Sequence, residues 1–329
     1  MARSTVSYAL SGNRSISPDT RRRVEEAIQE LGFTPNAGAR ALKTARTKVL
    51  GVFLQFHEDE FAPAMLQYLL PITATARAHG FDILMVTDPD AASALRRVTR
   101  STMVDGVVLL DVTHEDPRLQ ALRTAPQPGA LVGLPGHPEG LDVFDLDFEA
   151  SARLLVDHLH ARGHREIVVV SPPQHVFDRG GAYAWRFRDA AVERAVGLGI
   201  RVWPSCGEAQ QPAVDRALDA VLDARPTATA LVVHNDASIA ALPTVLRHRG
   251  VSVPEDLSVV SLFSKDFARQ FALPYTAVES APDVLGERAV TQLLRRLRDP
   301  AQAGPPAVHL VAPRLVDRGS TSPVHPPAP

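Results

Sequence analysis

From residue 49 onward the chain alternates short apolar runs with helical stretches, and this repeat constrains the fold more than any other feature. Val49-Leu50-Gly51-Val52-Phe53-Leu54, Phe81-Asp82-Ile83-Leu84-Met85-Val86, Gly106-Val107-Val108-Leu109-Leu110 and Ala130-Leu131-Val132-Gly133 form a first series. Glu166-Ile167-Val168-Val169-Val170, Ile200-Arg201-Val202-Trp203, Ala228-Thr229-Ala230-Leu231-Val232-Val233 and Leu257-Ser258-Val259-Val260-Ser261 form a second. Runs this short and this apolar read as strands buried on both faces, the pattern of parallel sheets. Helical patterns at about 61–79, 149–162, 182–198, 212–224, 236–249 and 282–298 supply the crossovers. The expected fold class is α/β, with two doubly wound lobes. Ligands of such sheets sit beyond the carboxyl ends of the strands, so a two-lobed chain places its site in the cleft between the lobes.

The first 48 residues have a different texture. They hold nine Lys/Arg against four acids, +5, while 49–329 holds 26 bases against 33 acids, −7. A short basic head on an acidic body points to a polyanion partner for the head, or to a merely solvated charged helix. Ser17 as N-cap, Pro18 at the first position and Gly32 beyond the end predict a helix over 18–31, with Val24, Ala27, Ile28 and Leu31 on one apolar face. A short helix over 4–11, with Val6 and Leu10 four apart, is the expected partner for that face. The stretch 34–48 is small and basic with Leu42 as its only bulky apolar residue, and it reads as a hinge that orders against a partner.

The single cysteine, Cys206, excludes an internal disulfide framework and any multi-cysteine metal site. No run approaches the roughly 18 apolar residues of a membrane span, and the expected location is cytoplasmic. No phosphate loop, nucleophile elbow or spaced metal-ligand set is present, so no enzyme activity, cofactor or metal is expected.

In this order and spacing, several stretches resemble the LacI/GalR family of bacterial transcription repressors. They are Thr5-Val6-Ser7, Ser17-Pro18-Asp19-Thr20-Arg21, Leu31-Gly32-Phe33, Pro35-Asn36 through Leu42, Asp105-Gly106, Gly163-His164-Arg165, Asn235-Asp236, Val253 through Val259 and Arg318-Gly319-Ser320-Thr321. The resemblance implies a partial helix-turn-helix head at 1–34, a hinge helix at 35–48 and a periplasmic-binding-protein-like effector domain at 49–321. Within that domain the N-lobe is expected at about 49–147 and 277–307, the C-lobe at about 148–276 and 308–321, with 322–329 a disordered tail. Family members carry about a dozen residues before this point, forming helix 1, so the chain is expected to start at the recognition helix. Either an upstream start or a truncated head with weakened DNA binding accounts for that. The second alternative keeps open a small-molecule-binding protein without DNA activity.

The resemblance further implies a homodimer on a near-palindromic operator, controlled by a small-molecule effector, a sugar or glycoside. Arg3, Ser4 and Tyr8 fall at base-reading positions, Arg3 having a frayed chain end as its alternative, and Thr5 and Ser7 at phosphate or cap positions; Asn13 follows the helix, where it meets the DNA backbone or serves a plain turn. Leu42 matches the apolar wedge of the hinge, with Asn36, Ala39 and Arg40 lining the same minor groove; docking of Leu42 on its own body is the alternative. Met65, Leu66, Leu69 and Leu70 lie where family dimers pack, though such a stripe is also ordinary core. In the cleft, Phe61, Asn235 and Asp236 match effector contacts, Asp236 having a helix N-cap as its alternative role; the strand-end residue Phe56 lies nearby, and Asp88 and Asp147 are candidates of the same kind as the Asn-Asp pair. Phe263 stands where relatives carry an Asp, and Arg186 lies shifted from the usual arginine position. A pocket of Phe61, Trp185 and Phe263 favours a ligand with a flat or apolar face.

Overall fold

The computed structural model describes residues 17–31, 44–56 and 61–324. The expected head residues Arg3, Ser4, Thr5, Ser7, Tyr8 and Asn13 and the hinge residues Asn36, Ala39, Arg40 and Leu42 lie outside them, as do 325–329. The chain divides into two compact units, Met1–Thr47 and Lys48–Pro329.

In the first unit a helix spans Pro18–Leu31. Ser17 Oγ accepts from the Thr20 amide at 3.2 Å, the capping bond expected of it. Val24 is buried, whereas Ala27, expected on the same apolar face, is exposed.

The second unit holds two six-stranded sheets. In chain order the strands are β1 (Val49–Phe53), β2 (Asp82–Val86), β3 (Gly106–Leu109), β4 (Gly129–Val132), β5 (Asp142–Leu146) and β6 (Glu166–Ser171). They continue with β7 (Arg201–Cys206), β8 (Ala230–Val233), β9 (Ser258–Phe263), β10 (Thr276–Glu279), β11 (Val308–Val311) and β12 (Leu315–Val316). The sheet orders are β11-β5-β4-β3-β1-β2 and β12-β10-β9-β8-β6-β7. Every pairing is parallel except β10 with β12. Leu50, Val52 and Val108 pack with helices Ala62–Ala78 and Pro282–Arg298 on one face of the first sheet, and Phe53, Val107 and Leu109 with helix Ala91–Arg100 on the other. The second sheet is sandwiched in the same way, Val168 and Leu231 facing one helical layer and Val169 and Val232 the other. This double burial explains why these strands read as unbroken apolar runs.

The chain passes between the sheets three times, after β5, after β10 and after β11. The lobe boundaries differ from expectation at the last two. Thr276–Glu279 pairs with β9 and so belongs to the second sheet, not to a segment beginning at 277 in the first lobe. Val308–Val311 pairs with β5 and belongs to the first sheet. The tail expected to be loose from 322 is tied at its start: Ser322 Oγ donates to the Pro254 carbonyl at 2.9 Å, and the Val324 amide to the Arg162 carbonyl at 2.8 Å.

Candidate functional site

The carboxyl ends of both sheets face one cavity of about 290 Å³. Its walls follow from topology: Leu110 and Asp111 beyond β3, Val132 and Gly133 at the end of β4 and Asp145 on β5 come from the first lobe. Pro172 beyond β6, His234 to Ala237 beyond β8, and Leu262 with Phe263 on β9 come from the second. Both lobes place loops and helix starts at that end, so the site lies where doubly wound sheets present their ligands.

Among the described residues, two ion pairs cross the cleft at the cavity wall. Arg186, on helix Ala182–Gly197, places Nη2 2.6 Å from Asp145 Oδ2, and both groups are largely buried. Asp145 also accepts from the amides of Leu134 and Leu146, each at 2.9 Å. Burial pushes its carboxyl up, and the Arg186 guanidinium opposes that shift. Arg179 and Asp111 form the second pair, at 3.8 Å. Away from the cavity wall the lobes also meet through His114, whose amide donates to the Gly180 carbonyl at 2.8 Å, and through Lys265 and Asp283 at 3.0 Å. Ser264 Oγ donates to Gln67 Oε1 across the same gap.

Most of the candidate effector residues meet here. Phe56, Phe61, Arg186, Asn235, Asp236 and Phe263 all line the cavity, but two of them, Asn235 and Phe61, serve differently from expectation. Asn235, not Asp236, is the N-cap of helix Asp236–Arg249: its Oδ1 accepts from the Ser238 amide at 2.9 Å, while Nδ2 donates to the Glu208 carbonyl at 3.3 Å. Its amide is thereby spent on backbone groups. Asp236, one residue on, is free of the cap and faces the cavity. Burial alone pushes its carboxyl up to about 7. Phe61 is not an open stacking platform; its ring packs edge-on to Phe267 at 6.0 Å and tilted to Phe271 at 6.1 Å, so it closes one end of the cleft against the second lobe.

Three candidates fall away. Asp147 caps helix Phe148–Ala161, accepting from the Ala150 amide at 2.9 Å. Asp88 accepts from the Asp90 amide at 3.0 Å and borders an open groove with Met85 and Met103 instead of the cavity. Trp185 is turned away from the cavity and meets His114 at 6.0 Å.

Other cavity residues were not legible as candidates. His234 sits among Phe148, Tyr183 and Phe187, and burial lowers its pKa to about 3, so the imidazole is neutral. Its Nδ1 is buried with no hydrogen-bond partner among the described residues. Tyr68, from helix Ala62–Ala78, has its hydroxyl pushed up by burial and by the nearby Asp145 and Asp236 carboxylates. His234 adjoins the Asn-Asp pair at the same strand end, and Asp145 lies two residues before Asp147. Proximity to those pairs was the available signal.

The cavity walls are mainly aliphatic and aromatic, and their polar groups are suited to holding hydroxyls. Among the described residues no cluster of three or more His, Cys, Asp or Glu side chains is placed to hold a metal, and no helix is long and apolar enough to cross a membrane.

Residues 2–36 match the profile of bacterial regulatory proteins of the lacI family, and residues 156–321 that of a periplasmic binding protein-like domain. The transcriptional regulator CelR of Thermobifida fusca is 29% identical over 304 residues, covering 90% of this chain and 88% of that protein. Catabolite control protein A of Staphylococcus xylosus is 26% identical over 265 residues, covering 78% and 77%. Among solved structures, a CelR–cellobiose complex superposes with a TM-score of 0.70 at 26% identity, covering 97% of this chain and 96% of that one. The lac repressor dimer bound to operator and an anti-inducer gives a TM-score of 0.81 at 21% identity over 97% and 95%, a likeness of fold. With the head profile at its start, the periplasmic-binding-protein-like fold behind it and transcriptional regulators matching nearly its full length, the chain belongs to the LacI family of bacterial transcriptional regulators.

Proposed function

We propose that the protein is a cytoplasmic, non-enzymatic repressor that binds a palindromic operator as a homodimer and is controlled by a sugar or glycoside in the inter-lobe cavity. The observation that carries the reading is the shared cavity: its two walls belong to different sheets and are joined by the Arg186–Asp145 pair, so a ligand there acts on the relative position of the lobes. An effector shifts such an equilibrium only by its unequal affinity for the two arrangements, and inter-lobe contacts that it strengthens or replaces supply that inequality. The cellobiose complex of CelR supports a sugar as the ligand class. Leu66 and Leu70, exposed on helix Ala62–Ala78 while Leu69 is buried beneath them, are the proposed dimer contacts.

On the operator, Arg3, Ser4 and Tyr8 are the proposed base readers, with Thr5, Ser7 and Asn13 at the backbone. Leu42 is the proposed minor-groove wedge, flanked by Asn36, Ala39 and Arg40. Unstacking a base step costs a few kcal/mol and is offset by contacts that the bend allows. Leu42→Ala is therefore expected to weaken operator binding by roughly ten- to a hundredfold while leaving effector affinity intact. Fluorescence anisotropy on promoter DNA, with a salt series to separate phosphate contacts, measures this. Equal operator affinity in the variant would remove the wedge assignment.

A further inference from the structure

Behind the first lobe's share of the cavity wall, Asp116 and Arg118 form an ion pair whose side chains are only 1% and 5% exposed, and neither residue lines the cavity. Arg118 opens the short helix Arg118–Arg123, and Asp116 stands two residues before it. Arg118 Nε and Nη2 donate to the Asp116 carboxylate at 2.9 and 2.6 Å. Nη2 also donates to the Asp111 carbonyl at 2.9 Å, and Nη1 to the Phe53 carbonyl at 3.4 Å. Asp116 in turn accepts from the amides of Thr113 at 3.3 Å and Arg118 at 2.9 Å. The pair thus ties the end of β1 to the loop that leaves β3. Taking two charges out of water gains little stability over apolar side chains of similar volume. What the pair does supply is a fixed shape for residues 111–116.

That loop is where the first lobe reaches the second. Asp111 has a φ of +49°, in the left-handed region that a non-glycine residue keeps only when its surroundings hold it there, and its carboxylate lies 3.8 Å from Arg179. The Arg118 bond to the Asp111 carbonyl falls on this same residue. His114 donates its amide to the Gly180 carbonyl at 2.8 Å and sets its ring edge-on to Trp185 at 6.0 Å.

We propose that Asp116 and Arg118 are positioning residues of an inter-lobe clasp: they hold residues 111–116 in the conformation in which Asp111 and His114 grip the second lobe, and so set how firmly the cleft is held closed on this side. The role requires a planar fork. One carboxylate and two backbone carbonyls on separate segments are met at once by donors in a single rigid plane, which an ammonium on a flexible stem does not reproduce. Without the fork, Asp111 relaxes out of the left-handed region, its carboxylate leaves Arg179, and the His114 amide comes off the Gly180 carbonyl. For an effector that binds the closed arrangement, apparent affinity then falls with the fraction of molecules held closed, although none of its own contacts has changed. The clasp itself depends on no particular ligand.

The test is hydrogen–deuterium exchange on the full chain without ligand, followed by mass spectrometry with fragmentation to single amides. Arg118→Lys keeps a charge opposite Asp116 and removes the fork. The expected result is exchange at the His114 amide at least about tenfold faster than in the parent chain, with the ladder amides of β3 and β4 at the parent rate. Asp116→Leu with Arg118→Met leaves no buried charge unpaired and is expected to give the same local signature should the single variant fold poorly. Unchanged His114 exchange in the folded variant overturns the proposal. So does acceleration spread evenly over the ladder amides, which marks a pair that merely holds the fold. Arg179→Gln loosens the clasp from the other lobe and is expected to accelerate the same amide, after which Arg118→Lys adds little more. Fold-changes that multiply in that double variant mean that the two arginines act independently, and they overturn the proposal as well.

Discussion

Two strand-to-helix junctions of the molecule carry nearly the same sequence pattern and use it in opposite ways. At the end of β5 the order is Asp145 and Leu146, then Asp147 and helix Phe148–Ala161. Beyond β8 it is His234, Asn235, Asp236 and then the remainder of helix Asp236–Arg249. At the first junction Asp147 occupies the N-cap, so its carboxylate is consumed by the Ala150 amide, and the acid that reaches the cavity is Asp145 on the strand. At the second, Asn235 takes the cap and Asp236 is pushed one position into the helix, where its carboxylate faces the cavity. A shift of one residue in cap position decides whether an acid binds its own backbone or is left for a ligand. The two acids that do reach the cavity differ again: Asp145 is neutralised by Arg186 from the opposite lobe, whereas Asp236 is not paired among the described residues.

Breaking the pair at the first junction has the largest expected effect. Arg186→Met removes the partner of a buried carboxylate, and an uncompensated buried charge costs roughly 3–5 kcal/mol. Urea unfolding at neutral pH is expected to show that loss, and the double variant Arg186→Met with Asp145→Asn to recover most of it, because the remaining groups are uncharged. An additive double variant would mean that the two side chains do not act as a pair.

At the second junction the expected sign is reversed. The Asp236 carboxyl is raised from 3.8 to about 7 in the folded chain. Between those values the folded state holds a proton that the unfolded state has released, so stability falls as pH rises from about 4 to about 7 and stays lowered above it. Asp236→Asn abolishes that arm. The variant is expected to gain up to about 4 kcal/mol over the parent at pH 8 and nothing near pH 4. It is also expected to lose effector affinity by tenfold or more, since one of the two carboxylate oxygens is replaced by an amide NH2 that cannot accept from a ligand hydroxyl. Parallel stability profiles for parent and variant between pH 4 and pH 8 would contradict the burial of this carboxyl.

The same contrast explains how much of the molecule could be read in advance. β1, β3, β4, β6, β8 and β9 announce themselves because burial on both faces demands apolar side chains throughout, whereas the edge strands β2 and β7 were legible from short apolar runs although they stay partly exposed. β5 was not legible, because Asp142 and Asp145 interrupt it and each is satisfied by an arginine distant in sequence, Arg296 and Arg186. β11 was missed for a different reason: it is an edge strand whose Val308 and Leu310 remain exposed, so its pattern carries no burial signal. In the site, the strand-end positions of Asn235 and Asp236 and the match of Phe61 to a family aromatic were readable, but which of them points a group into the cavity depends on cap geometry and on inter-lobe partners. Sequence spacing does not encode the 2.6 Å contact between Arg186 and Asp145, and without it Asp147 and Asp145 cannot be told apart by role.

The smallest expected effect isolates the cap itself. Asp147→Ala leaves the Ala150 amide without its side-chain acceptor and is expected to cost about 1 kcal/mol, the usual loss for an N-cap acid. Because Asp147 does not reach the cavity, effector affinity should be unchanged within the error of calorimetry. Asn235→Ala removes the equivalent bond at the second junction, but there the helix start carries Asp236 into the cavity, so a similar loss of stability should be accompanied by weaker effector binding. Thermal unfolding and ligand titration of the two variants side by side distinguish a cap that only ends a helix from one that aims a ligand group. Equal effects on effector affinity would mean that the two junctions are interchangeable, and the assignment of Asp236 as the acid left for the ligand would then have to be withdrawn.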